Sequence, residues 1–542
     1  MTPAALLVAT LAWGVPPPTV APPPPSPPAP QPAVPGASRA DAASRRAAAV
    51  AALERALARA ASASAVVRDI TLPSIERLIQ DADIRAGSVT VAERDQAFVR
   101  ANLETARAYA DRVAAGDDPY RAATGMIVKA YRADWDGTLQ PYALYVPRDY
   151  KPGRPGGWPL VVALHGAFSD HRHNLRRVFG LDNRPRENDA EASRNELPLP
   201  DVPALVVSPF GRGELMGYDG LGGDDVMRVI ADVRRAYDVD PDRISLTGLS
   251  MGGGGTWQIG LRHPELFAAL APVCAVADYR RMVQAADVPM YDLDALDRQS
   301  PVALAGNAAR MQVFIFHGAK DTTVPVADSH KMVERFRELG WLGKNVHYTE
   351  YPDVAHSAWI PAYKDAALLR ALAAIKRDRT PRAPVPPPAG CTAIPGLFGK
   401  SVPRQGPHIY VYGTHGAPDA VVAGRALANA MAAWGPMVGA RFAVKGDADV
   451  TADDRARFSL VLVGAAPLNA LAEPMAAPDA PPLGDRAFRA IRAAGDPARP
   501  DRCTLQLGAL TPRGFDRLKR FARPNRDGWA PEPNRPFVLL AD

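Results

Sequence analysis

The sequence predicts an α/β fold, a mostly parallel sheet with helices on both faces, preceded by a helical extension and followed by a smaller α/β domain. Three observations predict it. Short apolar runs alternate with helical stretches from Met126 onward. A Gly248-x-Ser250-x-Gly252 turn stands between one such run and the next helix. Two proline-rich tracts set this region apart from the rest of the chain.

The strands read in order. Val128-Ala130-Tyr131 and Leu139–Val146 pair around an Asp136-Gly137 turn. Pro159–Leu164 is a buried strand that ends in His165-Gly166. Ala204–Val207, a helix over Asp224–Tyr237, and strands at Ile244–Thr247, Val313–Phe316 and Val346–Tyr351 continue the alternation. Upstream, residues 39–121 are rich in Ala, Arg, Glu and Leu. They predict about three helices, with Ala51, Leu53, Leu57, Leu78 and Ile79 on apolar faces and an end near Gly116.

At 542 residues the chain exceeds one compact core. The reading divides it into an apolar leader and proline-rich tether (1–38), the helical extension (39–121), the central α/β domain (122–378), a linker (379–400) and a small α/β domain (401–542). In the last of these, His408–Gly413, Ala440–Lys445, Ser459–Gly464 and Thr504–Leu507 read as strands and Val421–Trp434 as a helix. Its Gly413-Thr414-His415-Gly416 turn lacks the full glycine pattern of a phosphate loop and reads as a structural turn.

A hydrophobic fraction of 47% and a charged fraction of 23% describe a globular chain, and a net charge of +6 with scattered basic residues argues against nucleic-acid binding. The three cysteines form no CxxC motif. Cys274 reads as a core thiol, while Cys391 and Cys503 could pair in an oxidising compartment. Ala4–Trp13 is too short to cross a bilayer, which takes about 20 apolar residues. It has the length of an export signal, although no Lys or Arg precedes it. The expectation is an exported protein with no transmembrane segment.

Gly248-Leu249-Ser250-Met251-Gly252 has the pattern of a nucleophile elbow, in which a strained turn lifts a serine hydroxyl above the sheet. A serine hydroxyl alone is a weak nucleophile and needs a base, which needs an acid to orient it. Asp321 follows the strand Met311–Phe316, and His356 follows the strand ending at Tyr351, in the order Ser, acid, His. His317, His347 and Asp353 are rivals for these places. The backbone N–H groups of Met251 and Ala167 are the expected donors to an oxyanion. His171-Arg172-His173, in the polar stretch from Ser169 to Pro200, reads as a solvated loop rather than a metal site. No cofactor is expected.

Gly248–Gly253 with Thr256-Trp257, Arg262–Ala269, Phe316–Asp321 and Tyr351–His356 resemble the esterase group of the α/β-hydrolase fold that includes feruloyl esterases and polyhydroxybutyrate-depolymerase-like proteins. The same motifs are similar to the catalytic domain of the prolyl-oligopeptidase family. The resemblance spans roughly Tyr142 to Lys376 and departs at Gly254, where a bulkier residue is common. It implies a serine esterase acting on an ester, with one carried by a polymer or polysaccharide among the expected substrates. A peptidase gated by a propeller would need repeats that the short helical N-terminal region lacks. An acyltransferase or a binding protein with a vestigial site are the other readings.

Overall fold

The computed structural model describes residues 39–59, 62–86, 93–184, 187–194, 198–281, 297, 299–380, 383, 406–472, 491–496, 499–507, 512–518 and 539–541. The leader and tether, most of the linker, and Cys391 with its pairing to Cys503 lie outside these residues. Among the described residues no helix is long and apolar enough to cross a membrane.

Eight strands form the central sheet: β1 Gly125–Arg132, β2 Leu139–Val146, β3 Trp158–Leu164, β4 Leu205–Pro209, β5 Val239–Leu249, β6 Ala269–Val273, β7 Gln312–Gly318 and β8 Val346–Tyr351. Their spatial order is β1-β2-β4-β3-β5-β6-β7-β8. The hairpin β1–β2 is antiparallel, and β2 runs antiparallel to β4; from β4 to β8 every pairing is parallel. Strands buried on both faces carry near-continuous apolar runs, and β3, β4 and β6 are buried throughout.

The pleat sends alternate β3 side chains to opposite faces. Leu160, Val162 and Leu164 join one core with Val226, Val229 and Val233 from helix Leu221–Ala236, Trp257 from helix Met251–Gly260 and Phe336 from helix Ala327–Glu338. Val161 and Ala163 join the other core with Leu175 and Val178 from helix His171–Val178 and Leu368, Leu369 and Leu372 from helix Ala367–Ala374. Helices cover both faces, as the alternation predicted.

Helices Arg39–Ala58, Leu72–Ala86 and Glu93–Ala114 build a third core of their own. Here the predicted face of the first helix needs correction. Ala49, Ala52, Leu53 and Ala56 are buried, while Ala51 is exposed and Leu57 is 47% exposed. Small alanines let the helices approach closely, so the buried stripe follows Ala rather than the bulkier Leu57. The Ser74 hydroxyl, 2.9 Å from the Ala130 N–H and 3.1 Å from its carbonyl oxygen, ties this bundle to β1.

A second sheet holds β9 His408–Tyr412, β10 Val444–Gly446, β11 Ser459–Val463, β12 Ile491–Asp496, β13 Arg499–Leu507 and β14 Leu539–Ala541, in the order β10-β9-β11-β13-β12-β14. Helix Pro418–Ala432 and Phe515 pack on one face of it. The Gly413–Gly416 turn is held by the helical turn that follows β10: the Thr414 N–H and hydroxyl both bond to Asp447, at 2.9 and 2.6 Å.

Trp257 is among the largest fully buried side chains, at 1% exposure. Replacing it with alanine removes a ring from the centre of the core, and Trp257→Ala is expected to lower the stability of the unit built on the eight-stranded sheet by about 3–5 kcal/mol. Denaturant unfolding followed by circular dichroism checks this.

Candidate active site

Strand β5 ends at Leu249 and helix Met251–Gly260 begins two residues later, so the chain reverses at Ser250 alone. Its φ of 54° and ψ of −116° lie where side chains are rarely held, a strain of about 1–3 kcal/mol that the surroundings must enforce. Two glycines enable it. A Cβ on Gly248 would sit 2.3 Å from the Gly252 carbonyl oxygen, and one on Gly252 would sit 2.2 Å from the Leu164 carbonyl oxygen. The elbow is therefore pressed against itself and against the end of β3. The Ser250 N–H donates to the Val273 carbonyl at 2.9 Å, closing the turn onto β6.

The structure brings Ser250, His356 and Asp321 together. His356 Nε2 lies 2.8 Å from Ser250 Oγ, and His356 Nδ1 lies 2.7 Å from Asp321 Oδ2. The other Asp321 oxygen accepts the N–H groups of Thr323 and Val324 at 2.9 and 3.0 Å, so the carboxylate is fixed by its own turn. Burial opposes its charge, but hydrogen bonds from His317, His356 and the Val324 N–H outweigh that and hold the carboxyl well below the usual carboxylate range.

The rivals fall elsewhere. Asp353 points outward and pairs with Lys320 at 2.8 Å. His347 stacks on Phe314 within β8. His317 is fully buried beneath the site, with Nε2 2.8 Å from the Val324 carbonyl oxygen and 3.3 Å from Asp321. Sequence reasoning treated it as a competitor, whereas it sits behind the acid as a second neighbour; its place at the end of β7, four residues before Asp321, was the available signal.

Cys274 was read only as a core thiol. It is buried, has a φ of 50°, and its thiol donates to the His356 carbonyl at 3.1 Å. Burial, with the Asp321 charge beside it, pushes this thiol up to about 12. Cys274, Asp321 and His356 gather their donor atoms within 4.8 Å. A thiol that keeps its proton is a poor metal ligand, and the imidazole is already committed to Ser250 and Asp321, so the cluster suits proton transfer better than an ion. Trp359 meets the His356 ring edge-on at 5.3 Å.

The loop carrying Ala167 lies against the elbow: a Cβ on Gly166 would come 3.5 Å from Ser250 Cβ. None of the hydrogen bonds among the described residues uses the N–H of Ala167 or Met251. Met251 opens its helix, where N–H groups lack intrahelical acceptors. Tyr218 clasps the loop, its hydroxyl accepting the His165 N–H at 2.9 Å and donating to the His165 carbonyl at 3.2 Å.

The stretch predicted as a solvated loop requires correction. His171–Val178 is a helix, capped by Asp170, whose carboxylate accepts the N–H groups of Arg172 and His173. His171, Arg172 and His173 are all buried. Leu175, Val178 and Phe179 supply the apolar side that pulls these polar residues inward, and Arg176 is compensated by Glu187 at 3.0 Å.

Residues 219–377 match the model of the prolyl oligopeptidase family. The chain is 24% identical over 296 residues to a "Putative carboxymethylenebutenolidase" of Methylorubrum extorquens, covering 52% of this chain and 91% of that protein. It is 23% identical over 205 residues to poly(3-hydroxyalkanoate) depolymerase C of Paucimonas lemoignei, covering 34% of this chain and less than half, 45%, of that one. Among solved structures, a thermostable esterase is 27% identical, with a TM-score of 0.34 and coverage of 46% of this chain and 63% of the esterase. The central sheet with its serine elbow is an α/β-hydrolase fold, and the protein is an enzyme of the serine hydrolase class. Its catalytic region resembles the esterase and depolymerase group together with the prolyl oligopeptidases.

Three outcomes are expected from this site. Gly252→Ala drives a methyl into the Leu164 carbonyl and is expected to open the elbow. Gly254→Ala finds only Val276 O at 3.8 Å, so it is expected to gain up to about 1 kcal/mol of helix stability, read as a shift in melting temperature. The Asp321 charge contributes stability that is complete above the unfolded carboxyl value near 4 and is lost as pH falls toward the depressed folded value. The urea midpoints of wild type and Asp321→Asn should therefore differ at pH 6 and converge as pH drops below about 4.

Proposed function

We propose that the protein is a serine esterase that cleaves carboxylic esters through an acyl-enzyme, with Ser250 as nucleophile, His356 as base and Asp321 as the orienting acid. The observation that carries the reading is the unbroken relay from Ser250 Oγ through His356 to Asp321, at 2.8 and 2.7 Å, on a serine held at positive φ.

In the first half-reaction Ser250 Oγ bonds to the ester carbonyl carbon as its proton passes to His356 Nε2. The imidazolium keeps its Nδ1–H on Asp321, whose fixed charge stabilises it. The carbonyl oxygen becomes an oxyanion received by the N–H groups of Met251 and Ala167. Collapse of the adduct breaks the bond to the leaving alkoxide, which takes the Nε2 proton and departs as the alcohol. Water repeats the sequence on the acyl-enzyme: its oxygen bonds to the acyl carbon as His356 Nε2 accepts its proton, then the bond to Ser250 Oγ breaks, Oγ takes the proton back from Nε2, and the carboxylic acid leaves.

An ester of bulky or polymeric character fits the names of the relatives, a depolymerase of poly(3-hydroxyalkanoate) among them. A peptidase reading draws on the prolyl oligopeptidase match; against it stands the segment ahead of the sheet, which folds as a helical bundle rather than the repeated strands of a gating propeller. Export through the apolar leader is part of the same proposal and suits a polymer too large to enter a cell.

Wild type is expected to hydrolyse p-nitrophenyl acetate, butyrate or octanoate and to leave a prolyl p-nitroanilide intact. Ser250→Ala should lose about 10⁴-fold or more in kcat, and Asp321→Asn about 10⁴-fold. Anilide cleavage without ester turnover would replace this reading with the peptidase. Acyl transfer to an added alcohol in preference to water would make the enzyme a transferase.

A further inference from the structure

The sheet that follows the hydrolase region meets it at a buried polar joint. The Gly439 carbonyl of the C-terminal unit lies 2.7 Å from Gln140 Nε2 and 3.0 Å from Arg212 Nη1. Arg212 also pairs with Asp136 at 2.9 Å, with both side chains buried, and Asp136 accepts the Arg441 N–H at 3.2 Å. Trp135 completes the joint, stacked on Phe442 with centroids 5.9 Å apart and lying 4.9 Å from the Arg212 guanidinium. Asp136 belongs to the β1–β2 turn, and Arg212 to the loop after β4.

That second loop also touches the loop proposed to receive the oxyanion. The Phe210 carbonyl lies 2.9 Å from the His165 ring at Nε2. Four residues on, the Glu214 carbonyl accepts the Phe168 N–H at 3.0 Å. The segment 165–168 is therefore clamped at both ends by carbonyls 210 and 214, and Arg212 stands midway between them with a φ of 68°. Gly211 is fixed as well, its N–H 2.8 Å from Asp225. With the flanking carbonyls committed to 165–168, the Arg212 side chain is what ties this short loop to Gly439.

We infer that Arg212 is a positioning residue for the oxyanion loop, and that the C-terminal unit is a working part of the active site, because its Gly439 carbonyl and Arg441 N–H set where Arg212 and Asp136 lie. The inference rests on the esterase reading for its catalytic consequence. A loop that carries one oxyanion donor affects the tetrahedral adduct and hardly touches the bound ester, so a displaced Arg212 lowers kcat and leaves KM in place.

Arg212→Met alone strands the buried Asp136 carboxylate and threatens folding, so the primary variant is Asp136→Asn/Arg212→Met, which removes both charges. Gly439→Ala tests the joint from the other side: its φ is +55° and its Cβ would sit 3.1 Å from the Arg212 carbonyl oxygen. Arg212→Lys keeps a cation for Asp136. With active sites titrated by a fluorophosphonate, kcat per site for p-nitrophenyl acetate, butyrate and octanoate is expected to fall about 10- to 100-fold alike in the first two variants. KM should stay within about twofold, with partial recovery in Arg212→Lys. Affinity for a trifluoromethyl ketone that forms the tetrahedral adduct should fall in parallel, whereas a role in folding alone would lower only the number of titrated sites. Deuterium exchange over 165–168 should quicken in the same variants. Unchanged kcat per site and unchanged exchange would overturn the inference. A wild type inert to every ester would instead sink the esterase reading, and the exchange measurement would still decide whether the joint governs the loop.

Discussion

The backbone of Ser250 is the constraint on which the rest of the site depends. A residue at φ 54° survives only where the surroundings allow no relaxed alternative, and here three elements leave none. Strand β5 is locked between β3 and β6, the helix starts at once, and the glycines at 248 and 252 allow carbonyls within a distance no side chain tolerates. The strain is thus balanced by the burial of the central strands rather than by any contact of the serine itself. Its result is that the hydroxyl is presented beyond the sheet edge while only 8% of the residue is exposed to water.

The groups that meet this hydroxyl come from the ends of neighbouring strands, and each has its freedom removed by local bonds. Asp321 is fixed by the N–H groups two and three residues ahead of it and backed by His317. The His356 loop is held from below by the Cys274 thiol on its carbonyl and from the side by Trp359. Burial around these residues would discharge a lone carboxyl; the donors arranged on Asp321 reverse that, keeping the negative charge where an imidazolium would need it. The two glycines and the charged acid serve one end, which is to settle geometry and protonation before a substrate arrives.

Much of the central fold was legible because its strands are buried on both faces and so carry unbroken apolar runs, as β3 and β7 do. The elbow was legible because close backbone approach demands glycine at 248 and 252. The helix His171–Val178 was not: six of its eight residues are His, Arg or Asn, and only the burial of its Leu175 and Val178, with Phe179, decides that such polar side chains turn inward. The stripe on Arg39–Ala58 was misread by a residue or two, because a close-packed helix pair selects Ala52 and Ala56 over Leu57. The strands β12 and β14 went unread, since they owe their form to the neighbours they pair with, β14 joining β12 across more than forty residues. His317 and Arg212 share a deeper reason. Both act on residues that sequence distance or ordinary composition does not connect, and a lone buried histidine or arginine carries no periodic signal.

The match to known proteins and the geometry of the site do not cover the same residues. The proposed nucleophile, acid and base, Ser250, Asp321 and His356, all fall within the matched stretch 219–377, past the ends of β5, β7 and β8. The Ala167 loop, Asp136, Arg212 and Gly439 fall outside it. Nucleophile, base and acid must meet within hydrogen-bond distance, which ties their residues to one backbone arrangement. An oxyanion donor is a backbone N–H, indifferent to its own side chain, so whatever supports its loop can vary widely in sequence. For the loop proposed to receive the oxyanion in this chain, the contacts run through carbonyls 210 and 214 to a buried arginine and on to a separate sheet. A second folded unit joined through a desolvated ion pair and a stacked tryptophan is costly to assemble unless position is gained from it. The position gained, on the role inferred for Arg212, is that of the loop beside Ser250.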